Sequence, residues 1–470
     1  MALPPAADTR RHAFAMRGAC HGCRPRTRPA RFAAALAVLL GACESPTDAG
    51  FPDVISIAAA EVAPLVGLLE LTLRSPAPIT VEYWTEGSPR LRIQAPAAAT
   101  HSVTLTRLRA GRSYQYEIVE SGHTGVLDAG PLPEDLAAVT FTATGVPTVE
   151  LVLVHLFQPD GFKGYAVVDA AGEVAWYWRT VDFPFGATRR ESGTFVLMDK
   201  GRGLLEVDAT GQVVNELPQD LTQRELHHDV IATPWNTILF LAFDDRIFNG
   251  ATLRGEAIWE WAPETQSVVR RWTSWDHLDP AVDQGPRFDT EWLHANSLAV
   301  GPRDNVLVSL HYLNQVISIA PDWNSLEWRL GGVNATIPVA ENARFSGQHT
   351  ARELPGGRIV LFDNGRDRGD YSRALELDVS SGIGTVAWEW GPTPLNYTSA
   401  VSSARRLDNG NTLVGFGLAQ GIAGSSGPTE FFEVDEGGEP LWRVVVGGTN
   451  VMFRAEPITT LAGEVVVNPQ

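Results

Sequence analysis

Gly193-Thr-Phe-Val-Leu197, Asn236-Thr-Ile-Leu-Phe240, Asn305-Val-Leu-Val308, Gly357-Arg-Ile-Val-Leu361, Asn411-Thr-Leu-Val414 and Gly463-Glu-Val-Val-Val467 repeat one signal, a glycine or asparagine before an apolar run. Gaps of 43, 69, 52, 54 and 52 residues separate successive anchors. After each of the first five comes a second unit, an apolar strand, a polar turn and a strand that usually carries tryptophan. Examples are Leu205–Asp208, Ile258–Ala262, Leu326–Leu330, Val386–Trp390, and Phe432–Asp435 through Leu441-Trp442. Four-strand units at such a period are the signature of propeller blades. The sixth outer unit is missing after Gly463 and present at Gly164–Trp176. The pattern predicts an all-β fold with a six-bladed β-propeller over residues 150–470. Residues 455–468 are expected to pair with 164–178, so that no sheet edge is left open.

Working outward, residues 51–145 alternate apolar and polar positions in short runs broken by proline and glycine, as in Ile79–Trp84 and His101–Thr106. Period-two patterning of this kind predicts a small β-sandwich. Leu108-Arg-Ala-Gly-Arg-Ser-Tyr-Gln-Tyr116 resembles the strand-entry corner of fibronectin type III domains, where a tyrosine bonds back to the backbone. Residues 131–135 and 144–147 read as linker.

Ahead of the sandwich, seven arginines and a single acid in residues 1–42 flank an apolar run, Phe32–Leu40, too short to span a bilayer. It ends Leu40-Gly41-Ala42-Cys43, which resembles the lipobox of bacterial lipoproteins. Residues 1–42 are thus expected to be a lipoprotein signal peptide, Cys43 the acylated residue and 43–50 a tether. The expected location is the cell envelope, with the protein exported and anchored to a membrane facing the periplasm. The whole 470-residue chain has a net charge of −18, so the part after residue 42 carries −24. Such a body offers no footprint for nucleic acid. All three cysteines fall at or before residue 43, which leaves no disulfide or thiolate site in the folded part.

Seven histidines lie beyond residue 150, and their spacing is regular. His228 stands eight residues before Asn236, and His349 eight before Gly357; His294 stands eleven before Asn305, across a Gly-Pro-Arg-Asp insertion. All three should enter the innermost strands of consecutive blades and converge at one mouth of the channel. His311, in Val308-Ser-Leu-His-Tyr-Leu-Asn-Gln-Val316, falls on an inner strand of the His294 blade.

The runs Leu226-His-His-Asp229, Trp292-Leu-His-Ala-Asn-Ser297 and Gly347-Gln-His-Thr-Ala351, with Trp328-Arg-Leu-Gly-Gly332, resemble the bacterial arylsulfate sulfotransferases. The resemblance covers most of residues 150–470. It implies transfer of a sulfuryl group from a phenolic sulfate donor to a phenol acceptor, with no nucleotide or other cofactor. It implies that His349 is the nucleophile and becomes transiently sulfated, while His228 and His294 position and protonate. His227, Asn296, Arg329 and Arg352 are expected to contact substrate, and Arg405 is a further candidate cation. His311 departs from the family, which carries an arginine at the aligned position. A guanidinium stays charged and grips an oxyanion with two donors, whereas an imidazole does not.

Two other readings fit the same residues. His227, His228, Asp229, Asn296, Asp363 and Asn364 could feed a divalent metal, as in propeller hydrolases. A lipid-anchored propeller could also act as a non-catalytic binding platform. The loop Asp363-Asn-Gly-Arg-Asp-Arg-Gly-Asp370 lacks the spacing of a calcium-binding loop.

Overall fold

A computed structural model of the protein describes residues 54–60, 63–200, 202–217, 225–448 and 451–467. The signal peptide, Cys43 and the tether lie outside the described residues. Six antiparallel sheets of four or more strands follow one another around a ring. Their innermost strands are Pro184–Arg189, Leu226–Ala232, Ala295–Val300, His349–Leu354, Ser403–Arg406 and Val451–Ile458, numbered here as blades 1 to 6.

The glycine or asparagine anchors open the second strand of blades 1 to 5, directly outside the innermost one. Gly193, Asn236 and Gly357 hold a left-handed backbone at the hairpin turn before it, which explains those residue types; in blades 3 and 5 the left-handed residue is Asp304 or Gly410, one before the asparagine. The strands that follow, such as Val306–Leu310, are buried on both faces because a neighbouring blade covers each side. Hence they read as continuous apolar runs rather than alternating ones.

Tryptophans of the outermost strands tie blade to blade. The indole N–H of Trp390 donates to Gly438 O at 2.9 Å, that of Trp442 to Ala170 O at 3.1 Å and that of Trp176 to Ala209 O at 3.0 Å. Each bond runs from a fourth strand to the outer turn of the next blade. The last links blade 6 to blade 1 and so completes the circle.

Ring closure differs from expectation in its partner. Val451–Ile458 pairs with Leu151–Phe157, and Lys163–Asp169 with Val174–Arg179 complete blade 6 outside them. Residues 164–178 are therefore two strands removed from the C-terminal strand. The Gly463 unit is not part of a blade: Val465–Val467 pairs with Arg90–Arg92 of the N-terminal sheet. A glycine turn before a short β-branched run looks the same in either sheet, so sequence could not separate them.

The expected domain limits shift accordingly. Phe141–Gly145, placed with the sandwich by its pattern, adds a fifth strand to blade 5 against Pro440–Val446. The N-terminal unit is one hydrogen-bonded sheet of six strands, bent where the register of Gly67–Trp84 breaks between residues 72 and 79. Its two halves close over a shared core that includes Leu69, Val81, Val103 and Tyr114. The Arg109 N–H donates to the Tyr114 hydroxyl at 2.9 Å, the expected corner bond. Arg109 also grips Asp169 of blade 6 through Nε at 3.0 Å and Nη2 at 2.7 Å, both partners buried.

Candidate active site

Blades 2, 3 and 4 begin their innermost strands with a bulge; His228 lies within one, His349 opens another, and His294 directly precedes the third. His228 and His294 hold left-handed backbones, with φ of 54° and 52°. In blade 4 the equivalent conformation belongs to Thr350, at 53°, so His349 precedes it by one residue. Equal spacing in the sequence thus hides a one-residue offset. His311 opens a short 3-10 turn just after the second strand of blade 3, and its N–H donates to His294 O at 3.1 Å.

The rings form a continuous arc. Centroids of His227 and His228 are 5.1 Å apart, His228 and His294 4.5 Å, His294 and His311 5.1 Å, and His311 and His349 5.2 Å. Burial and mutual repulsion keep most of them neutral. Desolvation, then His294, holds His228 well below the usual imidazole range; desolvation, then His349, does the same for His311. Burial takes His349 and His227 down to about 3. His228, expected to protonate a leaving group, is therefore an uncharged imidazole in the free site.

His349 is held in one tautomer. Its Nδ1–H donates to Asn364 Oδ1 at 2.7 Å, which leaves the lone pair on Nε2. The Asn364 amide can point only this way, because its Nδ2 donates to the carbonyls of Thr398 at 2.9 Å and Val401 at 3.2 Å. On the adjacent ring, Arg366 Nη1 donates to His311 Nε2 at 2.8 Å. The cation that residue 311 does not supply comes from residue 366. Asp363 shapes this loop, accepting from Ser346 N, Gly365 N, Arg368 and Arg373. Gly347 leaves the room: a Cβ there would stand 2.7 Å from Arg366 Cδ and 3.1 Å from His311 Cε1.

Two further pairs flank the arc. His294 Nδ1 meets Glu291 Oε1 at 2.8 Å, and its ring stacks on Tyr312 with centroids 4.7 Å apart. Burial opposes the charge of Glu291, but the hydrogen bond and charge of His294 outweigh it and hold this carboxyl below its ordinary value. At the other end, His227 Nδ1 lies 2.8 Å from His228 Nδ1, and its Nε2 lies 2.9 Å from Glu256 Oε2. Burial pushes Glu256 well above the usual carboxylate range, beside a ring that burial holds down to about 3.

Facing the histidines, blades 6, 1 and 5 present an apolar wall of Phe183, Phe185, Phe453, Val401 and Leu418. Phe185 reaches His228, with centroids 5.0 Å apart.

Other expected residues support the arc or lie away from it. His227 is buried and stacked on Phe243 at 3.8 Å, where it supports His228. Asn296 is buried beneath the arc, 3.3 Å from His311 Nδ1, and donates to Gln348 O at 2.8 Å. Arg329 sits on the outermost strand of blade 3, bonded to Asp283 at 2.7 Å. Arg352 and Arg405 point into the opposite end of the channel. An arginine of an inner strand can face either end, and alternation alone does not say which.

The metal reading loses its carboxylates. Both Asp229 oxygens are taken by Arg454, at 2.6 and 2.9 Å, and by the N–H groups of Val230 and Leu298. Asp363 is committed to its loop. Among the described residues, no three His, Cys, Asp or Glu side chains are grouped to hold a metal ion.

Five imidazoles held below their ordinary range, including His155 at about 3, make the fold acid-sensitive. Their folded pKa values lie below the ordinary 6.5, so the unfolded chain binds more protons and stability falls as pH drops below that value. Glu256, pushed up by burial, acts in the opposite sense. The three imidazoles held near 3 should by themselves cost about 4 kcal/mol per pH unit near pH 5. A melting temperature flat between pH 6.5 and 5 would show the imidazoles to be charged already.

Fold and site together define a β-propeller with a histidine-centred channel mouth. The model of the Arylsulfotransferase (ASST) family matches residues 146–446, and the chain belongs to that family. Arylsulfate sulfotransferase activity, between small-molecule aryl sulfates and phenols, is its activity at this level. No functionally curated protein matches the chain. Among solved structures, a protein of unknown function from Bacteroides caccae aligns with 12% identity and a TM-score of 0.45, covering 67% of this chain and 100% of that one. Virginiamycin B lyase from Staphylococcus aureus aligns with 14% identity and a TM-score of 0.34, covering 81% and 99%. A streptogramin B lyase aligns with 11% identity and a TM-score of 0.37, covering 81% and 98%. These likenesses carry no argument about function.

Proposed function

We propose that the protein transfers a sulfuryl group from a phenolic sulfate ester to a phenol through a sulfated His349. The observation that carries this reading is the His349–Asn364 hydrogen bond, which leaves an uncharged ring with its lone pair on Nε2. That atom attacks sulfur in line; the N–S bond forms as the S–O(aryl) bond breaks and the phenolate departs. Positive charge then grows on the ring, where Nδ1–H points at the Asn364 oxygen. In the second step a phenol oxygen takes the sulfuryl group, and Nε2 recovers its lone pair.

Arg366 binds the equatorial oxygens, as fixed donors do in the analogous phosphoryl transfer. His294 gives a proton to the departing phenolate and takes one from the incoming phenol, oriented by Glu291 as a base is by a third group. The aryl ring rests on Phe185 and Phe453 while the sulfate faces the arginine. One side of the mouth is apolar and the other cationic, which suits an ester with those two halves. Export and lipid attachment at Cys43 belong to the same proposal, since an extracytoplasmic site favours a donor that needs no nucleotide.

Donor and acceptor varied together should give parallel-line kinetics, and mass spectrometry after an alkaline quench should find one sulfated peptide, that of His349. Intersecting lines with no modified peptide would sink the two-step route. Arg366→Ala should lower kcat/KM for a chromogenic aryl sulfate by about 10²–10³, and Arg366→Lys should recover part of the loss. Equal activity in all three proteins would remove Arg366 from the site.

A further inference from the structure

The channel has a second end, and it is charged. C-terminal ends of all six innermost strands line a cavity of about 470 Å3 there. His349 and Arg352 stand three residues apart on one strand, which places this cavity about 10 Å from the histidine arc. Between them lies a plug: Arg454 of blade 6 reaches across to Asp229 of blade 2 and donates to Asn296 O of blade 3 at 2.9 Å.

Most charges around the cavity are already matched. Arg454 is neutralised by Asp229, Arg406 donates to Glu376 and Thr412, and Glu353 accepts from Asn305 at 2.9 Å. Arg189, Arg352 and Arg405 remain, with Glu456 as the carboxylate among them. Arg352 Nη2 lies 3.2 Å from Glu456 Oε1. The Arg405 guanidinium donates no hydrogen bond among the described residues. Arg189 uses Nη2 on Leu461 O at 3.3 Å, while its Nε is buried with no partner.

We infer that this far end of the channel is a binding site for a small, doubly charged oxyanion, held by Arg189, Arg352 and Arg405. Three guanidinium groups share one carboxylate within the cavity, and Glu464 beside Arg189 and Asp408 beside Arg405 offset the remaining positive charge only from its edge. Repulsion from Arg352, and then burial, brings Arg405 down to about 10; burial lowers Arg189 as well. A body carrying −24 has acidic side chains to spare for such a cluster, yet of the two carboxylates that line the cavity Glu353 is turned to Asn305 and Arg303, which leaves Glu456 facing the three arginines. Leaving donors unbonded and like charges together costs stability unless something supplies the missing acceptors. A dianion supplies both the charge and the lone pairs, and guanidinium forks match its planar oxygen pairs. The cavity lies within the usual volume range for small-ligand sites, so a phosphate, sulfate or short dicarboxylate fits with water.

The site does not depend on the sulfuryl-transfer reading, and its test separates the two ends. Titration calorimetry and thermal melts use inorganic phosphate, sulfate and succinate as probes, at ionic strength held constant with sodium chloride. At least one of them should bind the wild type and raise its melting temperature. Arg405→Gln should weaken that binding at least about tenfold. It should also melt higher than the wild type without the anion, because the repulsion from Arg352 is gone. Its turnover of aryl sulfate should be unchanged. His349→Ala should bind the probe as the wild type does. Failure of all three probes to bind, binding lost in His349→Ala but kept in Arg405→Gln, or a lower anion-free melting temperature for Arg405→Gln would each overturn the proposal.

Discussion

His349→Ala is expected to abolish release of phenol from an aryl sulfate, by a factor on the order of 10⁴ or more per folded molecule. No other ring of the arc can substitute, since each has its own commitment. His311 accepts from Arg366, His294 faces Glu291 and His228 is tied to His227. The variant leaves the Asn364 oxygen buried and unpaired, which should cost about 1–3 kcal/mol of stability. Turnover must therefore be normalised to the folded fraction, read from circular dichroism melts. Unchanged turnover of the folded fraction would make His349 a structural residue, and loss of activity matched by loss of fold would say the same.

The second large effect concerns the ring. Removing residues 449–470 takes away Val451–Ile458, leaving Leu151–Phe157 with a bare edge on the channel side and blade 6 without its innermost strand. It also strands Asp229, fully buried, without Arg454, a loss of about 3–5 kcal/mol by itself. No folded monomer is expected. Removing only 463–470 takes the edge strand from Arg90–Arg92 and leaves the propeller closed. That shorter deletion should melt within a few degrees of the full chain. If the two truncations behave alike, closure by 451–458 is wrong.

Blade number and histidine mouth were both legible in the sequence, for a physical reason. Each depends on a local pattern: left-handed turns that demand Gly193, Asn236 or Gly357, and histidines eight to eleven residues ahead of the anchors of blades 2 to 4. Pairing between distant segments left no such trace. Nothing in Phe141–Gly145 or Val465–Val467 distinguishes an added blade strand from a sandwich strand, because both ask only for a short alternating run. Arg366 was hidden for another reason. It lies in a polar loop of mixed charge, and only the fold, with Gly347 opposite, brings it to His311. Its one sequence cue was proximity to Asp363-Asn364, which follow the strand paired with His349.

The left-handed backbones of His228 and His294 have an evolutionary consequence. Glycine or asparagine would hold those two conformations with less strain, and the difference is about 1 kcal/mol at each site. Mutational drift away from chemistry is thus downhill in folding free energy at both positions, and retention of histidine needs a continuing selective cause. Lineages of this propeller that have given up catalysis should show it first at residues 228 and 294, as glycine or asparagine, and should melt higher than their active cousins.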